Sequence, residues 1–115
     1  MNFNEYQDRA SGFAIYPGHD SEESNVSGLL YLTLGLCGEA GEVAEKVKKI
    51  MRDEGGILTH SNTHALMLEC SDVLWYISEL VNKLGYNLDQ VADKNLEKLE
   101  NRKENGKLGG SGDNR

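Results

Sequence analysis

Apolar residues recur at three- and four-residue steps along most of the chain, the spacing that keeps side chains on one face of an α-helix. This pattern predicts a short amphipathic helix over residues 2–13, then a polar loop over residues 16–27. A second helix is expected over 28–54, a third from Ser61 or Asn62 to Leu84, and a fourth over 87–102. The pattern contains no convincing strand, so the sequence predicts an all-α bundle of four main helices.

The second predicted helix is apolar over an unusually broad arc, because two neighbouring stripes of leucine, valine and alanine run along it. A helix of this kind must be covered on more than one side, which in so small a domain favours a homo-oligomer. Gly35, Gly38 and Gly41 lie at three-residue steps within it. They indicate either a groove in which another helix packs closely or backbone space beside the acidic residues for metal, water or substrate.

The chain has 115 residues, of which 38% are hydrophobic, which predicts one small domain over residues 1–115. Its glycine-rich end predicts a flexible C-terminal tail over residues 103–115. No apolar run approaches the roughly 20 residues of a membrane span, and no signal pattern opens the sequence, so a cytoplasmic protein without a membrane partner is expected. Cys37 and Cys70 have apolar neighbours in predicted helices, as is typical of buried, reduced thiols.

The net charge of −7 argues against binding of a nucleic acid polymer, because the phosphates would be repelled. The acidic excess is uneven. Residues 1–54 hold ten acidic and five basic side chains, whereas residues 89–115 hold six of each. This distribution fits a protein that attracts cations and contacts phosphates through local basic groups.

Glu39 and Glu42 lie three positions apart in the second helix, and Glu69 and Asp72 have the same spacing in the third. Residues three apart are neighbours on one helix face, where like charges repel. An antiparallel turn at the two glycines 55 and 56 would bring both pairs into one layer of the bundle. Carboxylates that converge in this way favour a site for a divalent cation. For an isolated acid such as Glu45, a solvated helix face remains the simpler interpretation.

The acidic pairs and their flanking residues resemble a known family. The run Leu-Gly-Leu-Cys-Gly-Glu-Ala-Gly-Glu-Val-Ala-Glu-Lys-Val-Lys-Lys over residues 34–49 is similar to the signature helix of the MazG-like nucleoside triphosphate pyrophosphohydrolases. The family pattern, Glu-x-x-Glu followed by Glu-x-x-Asp, is matched by the two pairs above. Weaker similarity at residues 4–7, 14–17, 72–76 and 95–102 extends the resemblance to about residues 3–107.

This resemblance implies a Mg²⁺-dependent enzyme, with Mn²⁺ as a substitute ion, that converts (deoxy)nucleoside triphosphates to the monophosphate and pyrophosphate in nucleotide-pool control or house-cleaning. It also implies a MazG-like bundle completed in a homodimer or homotetramer. The implied metal ligands are Glu39, Glu42, Glu69 and Asp72. Glu42 or Glu45 is expected to take the proton of the attacking water, although Glu45 could equally be a further ligand or the i,i+4 partner of Lys49.

Substrate contacts are expected on the fourth helix and beyond it. With the resemblance, Asn95, Lys98 and Arg102 become candidates for sugar or phosphate contacts, and Lys107 on the tail could close over the triphosphate. Trp75 is a candidate base contact. The alternatives are a basic ridge that pairs with neighbouring acids, and an aromatic residue that belongs to the core or an interface.

Three other functions remain open from the sequence. The chain could be a dUTPase-like or a phosphoribosyl-ATP pyrophosphohydrolase of the same superfamily. It could also be a non-catalytic helical regulator that binds metal or nucleotide.

Overall fold

The computed structural model describes residues 1–20 and 26–113, and it is all-helical over these ranges. The helices are α1 (Phe3–Ser11), α2 (Val26–Asp53), α3 (His60–Lys83) and α4 (Leu88–Glu104). The prediction of an all-α fold with four main helices is therefore confirmed. The predicted loop over 16–27 is a series of turns as far as Asp20, its residues 21–25 lie outside the described ranges, and α2 already begins at its end.

Capping residues fix where three of the helices begin. Asn2, Thr59 and Asn87 each accept a hydrogen bond from the backbone N–H three residues later, and the side chain at that position accepts one from the cap in return. Such a capping box satisfies two backbone donors that a helix start leaves unpaired. The sequence predicts that α3 begins at Ser61 or Asn62, whereas Thr59 caps the helix and His60 is its first residue. Asn62 is the third residue of the helix, and its side chain accepts a hydrogen bond from the Thr59 N–H at 2.8 Å.

The helices α2 and α3 form a long hairpin that is the main packing unit. Gly55 and Gly56 adopt φ of +64° and +72°, the left-handed region that glycine enters without steric cost, and they turn the chain between the helices. Leu32 is fully buried in this hairpin. A Cβ at Gly35 would lie 2.7 Å from Cδ1 of Tyr76 and closer still to other atoms of the ring. The glycine therefore lets an α3 side chain reach the backbone of α2.

A second layer joins α1 to α3 and to the turn before α4. The buried Gln7 side chain donates to the carbonyl oxygen of Tyr86 at 3.0 Å and accepts from the Leu88 N–H at 2.9 Å. After α1, the hydroxyl of the buried Tyr16 donates to Oε2 of Glu79 at 3.0 Å. Buried polar groups of this kind stabilise a single arrangement because each would be costly without its partner.

The core of the single chain is incomplete. In the described part of the chain, α2 contacts α3 and no other helix, while α4 contacts α1 and α3. Leu88 is buried, but Val91, Leu96 and Leu99 farther along α4 are 41%, 56% and 39% exposed, so most of the apolar face of α4 is uncovered in the single chain. The radius of gyration is 17.1 Å, whereas a compact chain of this length has about 13 Å.

Both cysteines are exposed, so the prediction of buried thiols is also wrong for the single chain. Cys37 lies on α2, where α3 covers one side only, and Cys70 follows directly after one of the acids on α3. Among the described residues, none of the helices is both long and apolar enough to span a membrane.

Candidate metal centre

The α2–α3 hairpin brings three acidic side chains together. Glu39, Glu69 and Asp72 each offer one carboxylate oxygen, and these oxygens all lie within 4.8 Å of one another. Glu69 and Asp72 are neighbours because they lie three residues apart on α3, and Glu39 faces them from the antiparallel α2. Glu39 and Glu69 are half-buried, whereas Asp72 is exposed. We refer to these three residues as the acidic cluster.

Glu42, the fourth acid expected from the sequence, lies beside this cluster and not within it. Its side chain is exposed one turn farther along α2. Its charge nevertheless contributes to the elevated pKa of Glu39. The structure thus assembles three of the four expected ligands and leaves Glu42 at the edge.

The negative charges of the neighbouring acids act on the carboxyl group of Glu39. Burial raises the pKa of its carboxyl above the usual range, and the negative charges of Asp72, Glu69 and Glu42 raise it further, in that order. Burial and like charge both disfavour the ionised form. A cation placed among these oxygens would reverse the second effect.

A basic residue and two tyrosines surround the cluster. The Lys46 ammonium lies 3.4 Å from Oε1 of Glu69. Burial raises the pKa of the Tyr6 and Tyr76 phenols, and the Asp72 carboxylate adds to the rise in both cases. Sequence reasoning missed Lys46 and Tyr6. For Lys46 a signal was available, because it lies four residues after Glu42 and thus on the same face of α2.

Glu45 is held away from the cluster by its own helix. Its Oε2 lies 2.9 Å from the Lys48 ammonium and its Oε1 lies 3.7 Å from that of Lys49. The hydrogen bond from Lys48 is the main cause of a lowered pKa at Glu45. Of the three roles considered from the sequence, pairing with neighbouring lysines is the one seen in the structure.

The residues expected to contact substrate lie on α4, apart from α2. Asn95 and Lys98 line an open cavity of about 630 Å³. Lys98 and Arg102 both pair with Asp113 near the end of the chain, at 3.2 Å and 3.0 Å. Lys94 pairs with Glu97 at 2.9 Å, as the basic-ridge alternative predicts.

Two further candidates have structural roles in the single chain. The indole N–H of Trp75 donates to the carbonyl oxygen of Ala10 at 3.1 Å, and its ring packs edge-to-face on Tyr76. Trp75 therefore ties α3 to α1, and its contact with a base stays a prediction. Lys107 belongs to the turn after α4, where its backbone N–H donates to the carbonyl oxygen of Arg102.

Comparison with known proteins relates the chain to one domain family and to one phage protein. Residues 28–106 match the MazG nucleotide pyrophosphohydrolase domain, a span that includes the acidic cluster and all of α4. The chain is also 50% identical to the Gene 37 protein of Mycobacterium phage L5 over 115 residues, which cover 100% of both chains. No solved structure matches the chain.

Proposed function

The chain belongs to the MazG nucleotide pyrophosphohydrolase family, and from this premise we propose that it hydrolyses (deoxy)nucleoside triphosphates to the monophosphate and pyrophosphate with Mg²⁺. The observation that carries the proposal is the acidic cluster, in which three carboxylate oxygens from two helices lie within 4.8 Å of one another. The elevated pKa of Glu39 supports it, because burial and the neighbouring acids disfavour its ionised form and a bound cation would offset the repulsion.

The donor set of the cluster fits Mg²⁺. This ion takes oxygen ligands, binds through a small number of carboxylates and keeps several waters, and Mn²⁺ accepts similar ligands. Glu39, Glu69 and Asp72 would hold the ion. Glu42 would join them as a fourth ligand, because it lies three residues after Glu39 on α2 and its charge already acts on Glu39. When bound, the cation would neutralise phosphate oxygens and the charge that develops on departing pyrophosphate.

The chain's own acids would accept the proton of the attacking water. We assign this role to Glu42 in preference to Glu45. Glu42 is exposed at the edge of the cluster, whereas Lys48 and Lys49 hold Glu45 and its lowered pKa makes it a weaker base. Lys46, now paired with Glu69, lies where it can turn toward a phosphate once the cluster is neutralised.

Phosphate and sugar contacts are assigned to Asn95, Lys98 and Arg102, with Lys107 closing over the phosphates. In the described part of the chain α4 contacts α1 and α3 but not α2. We infer that these residues reach an acidic cluster when a second copy completes the bundle. A homodimer or homotetramer would complete it. The exposed apolar side chains of α2 and α4 would form the interface between copies. A stable interface covers about 800 Å² on each partner.

Release of pyrophosphate from a panel of triphosphates, with and without Mg²⁺, tests the proposal. Asp72→Asn removes one charge from the cluster, so we expect at least about a hundredfold loss of turnover with an unchanged far-ultraviolet circular dichroism spectrum. Asp53→Asn is the matched control, because Asp53 is an exposed acid at the end of α2 that pairs with Arg52. Full activity in the Asp72 variant would contradict the proposed site.

The same panel separates the alternative functions. Turnover confined to dUTP or to phosphoribosyl-ATP would assign the chain to one of those specialised activities. If no triphosphate is hydrolysed while Mg²⁺ still raises the melting temperature, the chain is a metal-binding regulator and the proposed hydrolysis is wrong.

A further inference from the structure

Residues 106–113 fold back onto α4, and Asp113 lies against the two basic residues assigned to phosphate. Lys98 Nζ lies 3.2 Å from Oδ1 of Asp113, and Arg102 Nη2 lies 3.0 Å from the same oxygen. Arg102 also donates to the backbone carbonyl oxygen of Asp113 at 3.2 Å. One carboxylate oxygen thus accepts hydrogen bonds from two cationic side chains, as a phosphate oxygen would.

The path of the backbone explains how the acid reaches α4. Gly106, Gly110 and Gly112 have φ of +65°, +92° and +84°, values that residues other than glycine rarely adopt. The first of these turns is closed by the hydrogen bond from the Lys107 N–H to the carbonyl oxygen of Arg102. The chain therefore reverses within a few residues after α4, and the contact at Asp113 follows from turns that the sequence specifies.

The two sides of this contact differ in exposure. The Arg102 side chain is 11% exposed, whereas that of Asp113 is 75% exposed. The arginine is held against the protein, and the acid is the partner that can leave. Exposed ion pairs are weak, so a ligand with more negative charge and more oxygens can displace a single carboxylate.

We propose that Lys98 and Arg102 form an anion-binding pair, and that Asp113 occupies it as an internal competitor until a phosphate chain displaces it. Lys98 also lines the cavity of about 630 Å³ on α4, so the exchanged ligand would lie at the edge of that cavity. The assignment of the natural ligand as a nucleoside triphosphate rests on the proposed function. The anion-binding pair and its internal competitor do not depend on catalysis.

Binding of inorganic tripolyphosphate to the full chain in EDTA, measured by isothermal titration calorimetry, tests this inference without hydrolysis. Asp113→Asn should bind about three- to tenfold more tightly than the natural chain, because the competing carboxylate is gone. Arg102→Gln should weaken binding at least about tenfold. Glu104→Gln, which removes an exposed acid from the end of α4 and changes the net charge equally, should bind like the natural chain.

Equal affinities of the natural chain and the Asp113 variant would overturn the inference, as would equal tightening in the Glu104 control. Absence of binding in every variant would overturn it as well. Hydrolysis assays on the same preparations judge the proposed function separately. If triphosphates are turned over, the Asp113 variant should also show a lowered KM. Tighter tripolyphosphate binding without any turnover would support the anion pair and contradict the enzyme.

Discussion

At the scale of single residues, Glu39 shows how burial and like charge act on the acidic cluster. Burial and three neighbouring acids hold the pKa of its carboxyl above 4.5, its ordinary value. The folded chain therefore binds this proton more readily than the unfolded chain does. In the absence of metal, the contribution of Glu39 to stability becomes less favourable as the pH rises from about 4.5 through the elevated pKa of the folded state.

Replacing Glu39 by Gln should therefore raise the melting temperature of the metal-free protein at pH 7. We expect a rise of about 1–4 °C, kept small because solvent screens exposed charges. Thermal unfolding in EDTA, followed by circular dichroism from pH 4 to pH 8, measures the effect. It should shrink toward pH 4, where the natural carboxyl is protonated, and Glu104→Gln should show no such trend. A lower melting temperature for the Glu39 variant at pH 7 would contradict this account of the cluster.

Tyr16 and Glu79 form a buried hydrogen-bonded pair that joins the loop after α1 to α3. Both are 2% exposed, and in the described part of the chain Oε1 of Glu79 has no hydrogen-bond partner. Burial raises the pKa of Tyr16 well above 10, and its hydrogen bond to Glu79 raises it further. Because the folded-state pKa is the higher one, this group's contribution is fully present below pH 10 and is lost as the pH rises above that value.

Tyr16→Phe should lower the free energy of unfolding by about 1–3 kcal/mol at pH 7, since it leaves the buried Glu79 carboxyl without its donor. It should also reduce the loss of stability between pH 9 and pH 11. Urea unfolding at several pH values measures both effects. Tyr86→Phe is the matched control, because that side chain is 59% exposed. Equal alkaline loss in the natural chain and the Tyr16 variant would count against the role given to this hydroxyl.

At the scale of helices, the three evenly spaced glycines 35, 38 and 41 of α2 divide into two groups that the sequence cannot distinguish. A Cβ at Gly35 would overlap the Tyr76 ring, whereas nothing lies within 4 Å of one at Gly38 or Gly41. The groove interpretation therefore applies to Gly35, and open space surrounds the two glycines that flank Glu39 and Glu42. The sequence cannot separate them because their spacing is identical. Their surroundings differ only through the rotation of α2 against α3.

Gly35→Ala should destabilise the protein by about 1–3 kcal/mol, because the added methyl forces Tyr76 and its neighbours to move. Gly38→Ala should be neutral or stabilise by up to about 1 kcal/mol, since alanine favours the helix and meets no obstacle. Chemical denaturation of the two variants side by side measures this difference. Equal stabilities would indicate that α3 packs on α2 differently.

At the scale of the whole molecule, the arrangement of the described helices leaves large apolar side chains exposed. Leu34 on α2 is 64% exposed and Leu96 on α4 is 56% exposed, in a chain that buries few apolar side chains completely. Exposed apolar surface of this extent is characteristic of protein interfaces. The acidic cluster lies on α2 and α3 and the basic residues lie on α4, so the single chain holds the two groups on separate helices.

Light scattering coupled to size-exclusion chromatography should therefore give a dimer or tetramer for the natural chain. Leu34→Glu should shift the population toward smaller species by at least about tenfold in dissociation constant, because it buries a charge in the interface. Thr33→Glu places the same charge at the neighbouring exposed position and serves as the control. A monomer at high micromolar concentration would contradict an interface on α2.

The sequence by itself determined the four helices, the turn at Gly55 and Gly56, and the spacing of the acids, because these depend on local backbone preferences and helical periodicity. Only the tertiary structure decided which acids meet. The rotation of α2 against α3 brings Glu39 into the cluster and leaves Glu42 at its edge. It also decided that α4 packs on α1 and α3 but not on α2 in the described part of the chain, and that Asp113 reaches α4. Such contacts join residues whose separation no local pattern encodes.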